Sequence, residues 1–437
     1  MKTMKHTPLL SAGLLCFLAL IFSGCSDKVE ITRIYTVMEP VYMSPAQLRE
    51  AVDVIEPQDI HATGKIYLYQ HYLLVNEPGK GIHLVNNLNP ESPEMLGFIN
   101  IPGNYDLAVR GDVLYADSYV DLVALDISDV QNIREVNRLK DIFAGLSTTE
   151  YYDPEKGVIV DWNEVEKIEV TEEEFEGNFP SYFNYRTNGI AFASADMAST
   201  MSSFMPPTVQ TGVGGSMARF TIVENYLYSV DNTRLYVFDI SNLNDPKQGM
   251  IKDLGWGIET IFPYDHKLFI GSQTGMHIYD IENPDVPIKL SVFEHVRSCD
   301  PVVVADTLAY VTLRSGNFCN NGFANQLDVI NIKDPTQPEI LISYPMANPH
   351  GLGIDNGILF LCEGNFGLKI FDATDPMSID SHLLQTYTGV DAIDVIPFND
   401  VLIMIGTDGL YQYDYSDIEN IRLLSALPVI PEPSDEM

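Results

Sequence analysis

The chain has 437 residues, 46% of them hydrophobic, and sets 25 Lys and Arg against 61 Asp and Glu for a formal charge of −36. The apolar content suffices for a large core and excludes an intrinsically disordered chain. Nucleic acid and anionic lipid are held by cations that neutralise phosphate, so this charge excludes nucleic acid as a partner and favours cations or neutral and basic surfaces; it also serves solubility alone.

In chain order, the first element is a short basic start at Lys2 and Lys5, followed by an apolar run over residues 9–22 and then Phe22-Ser23-Gly24-Cys25. Such a run reads as a signal peptide and is too short for a spanning helix of about 20 residues. The small pair before Cys25 resembles the lipobox of bacterial lipoproteins, with Phe22 where Leu is usual. That resemblance implies removal of residues 1–24, lipidation of Cys25 and anchoring in the cell envelope, on either face of the outer membrane. Ordinary cleavage would leave a free thiol there. Residues 25–57 are then anchor, tether and N-terminal segment. Residues 45–54 predict a helix with Ser44 as N-cap. Residues 30–37 either add a strand to the last repeat or lie across a face.

From residue 58 the sequence repeats. A strand ending in Asp or Asn, followed by a turn, recurs about every 41 residues at Asn86, Asp126, Asp239, Asp280, Asn331, Asp372 and Asp414, with insertions in the two longer spacings. Strong copies are Leu235-Tyr236-Val237-Phe238-Asp239, Met276-His277-Ile278-Tyr279-Asp280 and Leu327-Asp328-Val329-Ile330-Asn331. The unit around Asp280 reads as four strands over residues 260–262, 268–271, 276–279 and 288–293, with Gly, Asn, Asp and Pro between them. Four strands in about 40–45 residues make a β-propeller blade. A single blade cannot bury both faces, whereas blades stacked in a ring can, and the ring closes the stack. The expected fold is therefore all-β, a seven-bladed β-propeller over residues 58–437, with an open solenoid as the alternative. The repeats resemble the LVIVD family, named for its Leu-Val-Ile-Val-Asp strand and turn, over residues from about 60 to 430. The resemblance implies a cell-surface propeller and no particular chemistry.

Residues 141–214 interrupt the repeats. Residues 141–180 hold twelve acidic residues and two lysines. Residues 157–162 and 165–170 alternate as a hairpin would, Thr171-Glu172-Glu173-Glu174 has capping-box spacing for a short helical turn, and residues 196–215 read as a mobile stretch. The insertion is either a partner surface or a solvated acidic excursion.

In a propeller the first residues of each inner strand stand at one mouth of the central channel. Alignment of the repeats puts Lys65, Asp106, Arg219, Glu259, Asp300, His350 and Asp391 there. Carboxylates held close raise one another's pKa unless a cation lies among them. The ring is thus a candidate site for Ca²⁺ or for a cationic or polyhydroxylated ligand, with Tyr105 and Trp256 as aromatic rim. It is equally readable as a hydrated channel whose charges Lys65 and Arg219 pair. Cys299 and Cys319 are candidates for a disulfide, and Cys362 reads as a buried strand residue. Gly214-Gly215-Ser216-Met217-Ala218 lacks the last Gly of a nucleophile elbow and precedes a strand, so it is set aside. His83 and His277 read as packing residues in third strands. No catalytic residue is assigned. The favoured function is a monomeric, non-enzymatic binding or scaffold lipoprotein that meets an envelope protein or glycan. The alternatives are a hydrolase or lyase for a polysaccharide or small molecule, with His350 as acid or base, and a purely structural role.

Overall fold

In a computed structural model the described residues are 28–143, 152–174, 211–295, 301–314 and 325–431. The signal peptide, Cys25, Cys299, Asp300, Cys319 and residues 175–210 lie outside them.

The chain forms two compact units, one of Met1–Tyr42 with Ile159–Phe192, the other of Met43–Val158 with Ala193–Met437. The first is built on two long strands, Lys28–Met43 and Gly157–Glu174, paired side by side. Lys167 Nζ meets Glu39 Oε1 at 2.8 Å across them. This corrects three expectations. Residues 157–170 form no hairpin, because the alternating stretch runs on as one strand paired along Lys28–Met43, and Asn163-Glu164 lacks the Gly that a two-residue loop favours after Asn. Residues 171–174 continue the strand and form no helical turn. Residues 30–37 pair with the insertion and not with the last repeat.

The second unit contains six four-stranded antiparallel sheets and one six-stranded sheet. Their inner strands are Ile66–Tyr69, Leu107–Arg110, Phe220–Val223, Ile258–Tyr264, Val302–Ala305, Leu352–Asp355 and Ala392–Phe398. The repeat is explained by its turn. The carboxylate or amide at its anchor accepts the N–H two residues on, as at Asp126 (3.0 Å), Asp239 (2.8 Å), Asn331 (3.0 Å) and Asp414 (3.0 Å). This Asx turn holds the chain as it reverses. The next residue then donates its N–H to the hairpin joining the first two strands, as Ile240 N to Asn225 O (2.8 Å) and Ile281 N to His266 O (2.9 Å). Buried polar pairs pin the second strand to the third: Glu77 with His83 (2.8 Å), Asp231 with Tyr236 (2.6 Å) and Glu363 with Lys369 (2.5 Å). Against burial, which alone would raise it, hydrogen bonds from His83 and Lys80 hold the Glu77 carboxyl down at about 2.

The last sheet packs on the first. Ile396, Ile403 and Leu410 share a core with Ile66, Leu68 and Val75, and Asn87 and Gln412 exchange amide hydrogen bonds of 2.8 and 2.7 Å. The six-stranded sheet gains Asp53–Ile55 on its outer edge and Val213–Gly214 on its inner edge. The expected helix over residues 45–54 is shortened to Pro45–Glu50, with Ser44 and Gln47 forming its capping box. Its β-branched tail, Val52 and Val54, gives way to edge pairing with Phe98–Asn100. Cys362 is buried in its strand, as expected.

Candidate functional site at the tunnel

The pairing of first and second strands fixes which residue heads each inner strand. Ile66 faces Val75, Leu107 faces Ala116, Phe220 faces Ser229 and Val395 faces Met404. The equivalent heads are Lys65, Asp106, Arg219, Thr260, Pro301, Gly351 and Asp394. Among the described residues three expected ones therefore move. Glu259 and His350 sit one residue before their positions, and Asp391 sits three before. The fourth and last inner strands carry a bulge, between Ile258 and Thr260 and between Ala392 and Asp394. A bulge adds an unpaired residue and shifts everything before it.

The heads do not surround an open mouth. The segment 211–218 runs through the tunnel and closes it. Thr211 bridges to Arg110, Gly212 N donates to Val109 O (3.1 Å), and Val213 and Gly214 pair antiparallel with Leu68 and Tyr67. Ser216 donates from N (3.0 Å) and Oγ (2.8 Å) to Asp394 Oδ1, and its Oγ accepts from Leu352 N (2.7 Å). Lys65 Nζ donates to the Met217 carbonyl, and Ala218 O accepts from Ile261 N (2.7 Å). Residues 214–218 are all buried. The end of the insertion, expected to be mobile, is thus tied over residues 211–218 to the inner strands of the second unit. The stretch set aside as a poor nucleophile elbow is its keystone, and Ser216 there is a structural group.

The charges at this closed end serve one another. Asp106 is buried and accepts from Leu107 N (2.7 Å) and Arg219 N (2.5 Å), with Lys65 Nζ at 3.5 Å. Burial pulls the Lys65 ammonium down to about 8 against the attraction of Asp106. Asp117 accepts from Asn104, Tyr105 and Asp106 at 2.8–2.9 Å, and burial nonetheless raises its carboxyl to about 7. Arg219 lies in the field of Asp106, Glu259, Asp117 and Asp231. Asp391 accepts from Thr407 Oγ1 (2.5 Å) at an exposed turn. His350 is buried, with Asn348 Nδ2 at 3.2 Å and Arg314 Nη1 at 3.4 Å from its Nε2, and burial with the Arg314 charge lowers its pKa to about 3. Among the described residues no group of His, Cys, Asp or Glu is arranged to hold a metal ion. Asp106 and Asp394 are turned to Lys65, Arg219 and Ser216, so they do not fit the calcium expectation. The Cys299–Cys319 expectation falls outside the described residues.

Behind the stopper the tunnel widens into a cavity of about 840 Å³. Its floor is Tyr67, Asp106, Gly214 and Ala218, its wall includes Phe220, Thr221 and Pro263, and its mouth carries Glu224, Asp265, His266 and Asp306. These four mouth residues have left-handed backbone, with φ of 51°, 44°, 52° and 53°, a conformation uncommon for side chains larger than Asn or Asp. They lie in the hairpins that the repeat turns buttress. Asp306 N donates to Tyr264 OH (2.8 Å), and Lys267 Nζ donates to Asp265 O (2.8 Å). This mouth, which forms at the tails of the inner strands, was not foreseen from the sequence.

The LVIVD repeat model matches residues 214–248, which run from the stopper through the third sheet. No curated relative matches the sequence. Among solved structures, a protein from Lactobacillus plantarum is 12% identical, with 85% of this chain and 97% of that one covered and a TM-score of 0.52. The periplasmic gluconolactonase of Pseudomonas aeruginosa is 10% identical over 85% and 97% of the chains, with a TM-score of 0.52. The computationally designed Ika8 protein is 9% identical over 85% and 88%, with a TM-score of 0.50. Identities this low speak for the fold alone, and with the repeat they make the chain a β-propeller.

Proposed function

We propose that this LVIVD-repeat chain is a seven-bladed, lipid-anchored propeller of the cell envelope that binds, without catalysis, a small cationic or polyhydroxylated ligand in its blind cavity. The observation that carries the reading is the stopper: residues 211–218 close one end of the tunnel and leave about 840 Å³ open at the other. A concave site of that size with a few convergent polar groups suits a small ligand. The acids Glu224, Asp265 and Asp306 at the mouth favour positive charge or hydroxyl donors. His350, lowered to about 3, supports no acid or base role near neutral pH.

The test is native mass spectrometry of the chain against a panel of amines and oligosaccharides, beside Thr221→Trp, which fills the cavity. A ligand retained by the parent and lost in the variant is the expected result. No binding, or binding equal in both, would refute the reading. Anchoring is checked separately by incorporation of an alkyne fatty acid, expected in the parent and absent in Cys25→Ser.

A further inference from the structure

Exposed aromatic side chains are expensive to leave in water, and their placement here is uneven. Among the described residues of the second unit those that stand well exposed are Tyr105 (36%), Trp256 (56%) and Phe366 (50%). All three lie at the closed end: Tyr105 and Trp256 in the segments that lead into inner strands, Phe366 in a hairpin between second and third strands. The open end exposes aliphatic residues instead, such as Leu88, Val286, Ile288, Met377, Leu383 and Leu423.

The aromatic loops are fixed. Around Tyr105, Gly103 N donates to Gly79 O (2.8 Å), Gly79 N to Asn104 O (2.8 Å) and Tyr105 N to Asp117 Oδ1 (2.8 Å). Trp256 stands between Gly255 and Gly257, at φ of 94° and 85°, and Gly257 N donates to Asn232 O (2.9 Å). Phe366 is held by its own N–H to Glu363 O (3.0 Å) and by Gly364 N to Ala392 O (2.8 Å). Rings presented on rigid loops lose little entropy on binding. Polar groups lie at the same end: Arg219 is within electrostatic reach of both Tyr105 and Glu259.

We propose that the closed end is a second binding face, separate from the cavity, and that it takes a neutral polysaccharide. Sugar rings offer C–H faces that stack on aromatic faces and hydroxyls that reach carboxylates and guanidinium. Nucleobases also stack, but a chain of charge −36 repels their phosphates, and the same repulsion excludes anionic glycans.

The test is affinity electrophoresis of the full chain, in detergent, through gels containing dextran, laminarin or galactomannan. Retardation by at least one is expected. Trp256→Ala and Tyr105→Ala each weaken it about tenfold, and Trp256→Phe keeps most of it, at an unchanged melting temperature. No retardation by any of the three overturns the proposal, as does retardation that survives the Trp256→Ala/Tyr105→Ala double variant. A second readout needs no loss of a ring. Trp162 and Trp256 are the only tryptophans, so in Trp162→Phe the emission reports Trp256. A blue shift with the retarding polymer is expected, and unchanged emission counts against the face.

Discussion

The two ends of the tunnel are built by different rules. The open end is made by the repeat itself: Asx turns at Asp239, Asp280 and Asn331 donate to, and so buttress, the hairpins that carry the mouth. The closed end is made by residues that do not repeat. Lys65, Asp106, Arg219 and Asp394 occupy equivalent positions with side chains of opposite charge, and each is matched to one feature of the stopper or a neighbour. The repeat supplies the frame, and departures from the repeat supply the individual chemistry.

The contrast is sharpest in stability. Asp106→Ala removes the acceptor of Arg219 N and the counter-charge of Lys65 at a buried place, and is expected to cost about 3–5 kcal/mol in urea unfolding. Asp265→Ala, at the open mouth, is expected to stay within about 0.5 kcal/mol. Equal losses would erase the distinction between the ends. A smaller loss follows from Gly351→Ala, whose added Cβ would stand 2.1 Å from Asp394 Oδ1 and 2.7 Å from Ser216 Oγ. The expected cost is about 1–3 kcal/mol, with faster hydrogen exchange at Ser216.

Acid gives a third test. His350 is lowered from 6.5 to about 3, so the unfolded chain binds the extra proton first. Its contribution is complete above pH 6.5 and is lost as pH falls toward 3, with a slope of at most about 1.4 kcal/mol per pH unit. His350→Gln should flatten the stability profile between pH 6 and 4. An unchanged profile would mean that the ring is charged or exposed. The smallest effect is expected at the repeat turn: Asp239→Ala loses one Asx hydrogen bond to Ser241 N, about 1 kcal/mol.

The blade pattern was legible in the sequence because each turn anchor does the same local job seven times over. The heads of the inner strands were only partly legible. Lys65, Asp106 and Arg219 stand at the heads of their strands, whereas the irregular starts of the fourth and last inner strands, at Ile258–Thr260 and Ala392–Asp394, put Thr260 and Asp394 where Glu259 and Asp391 were expected. A signal was present at the other end of each strand: counted back four residues from the hairpin, Tyr69, Arg110, Val223 and Phe398 lead to Lys65, Asp106, Arg219 and Asp394. The stopper was not legible, because its Gly, Ser and Ala residues carry no period and acquire meaning only from partners such as Asp394, 178 positions away. The long strand over residues 157–174 was hidden for a similar reason, since its pairing partner, Lys28–Met43, lies far earlier in the chain, before the first repeat.

The most direct measurement is amide hydrogen exchange over residues 211–218. If this segment closes the tunnel, the amides of Gly212 and Ser216, bonded to Val109 and Asp394, exchange as slowly as those of the inner strands. Exchange within seconds, as in an exposed loop, would contradict the closed end and with it the blind cavity.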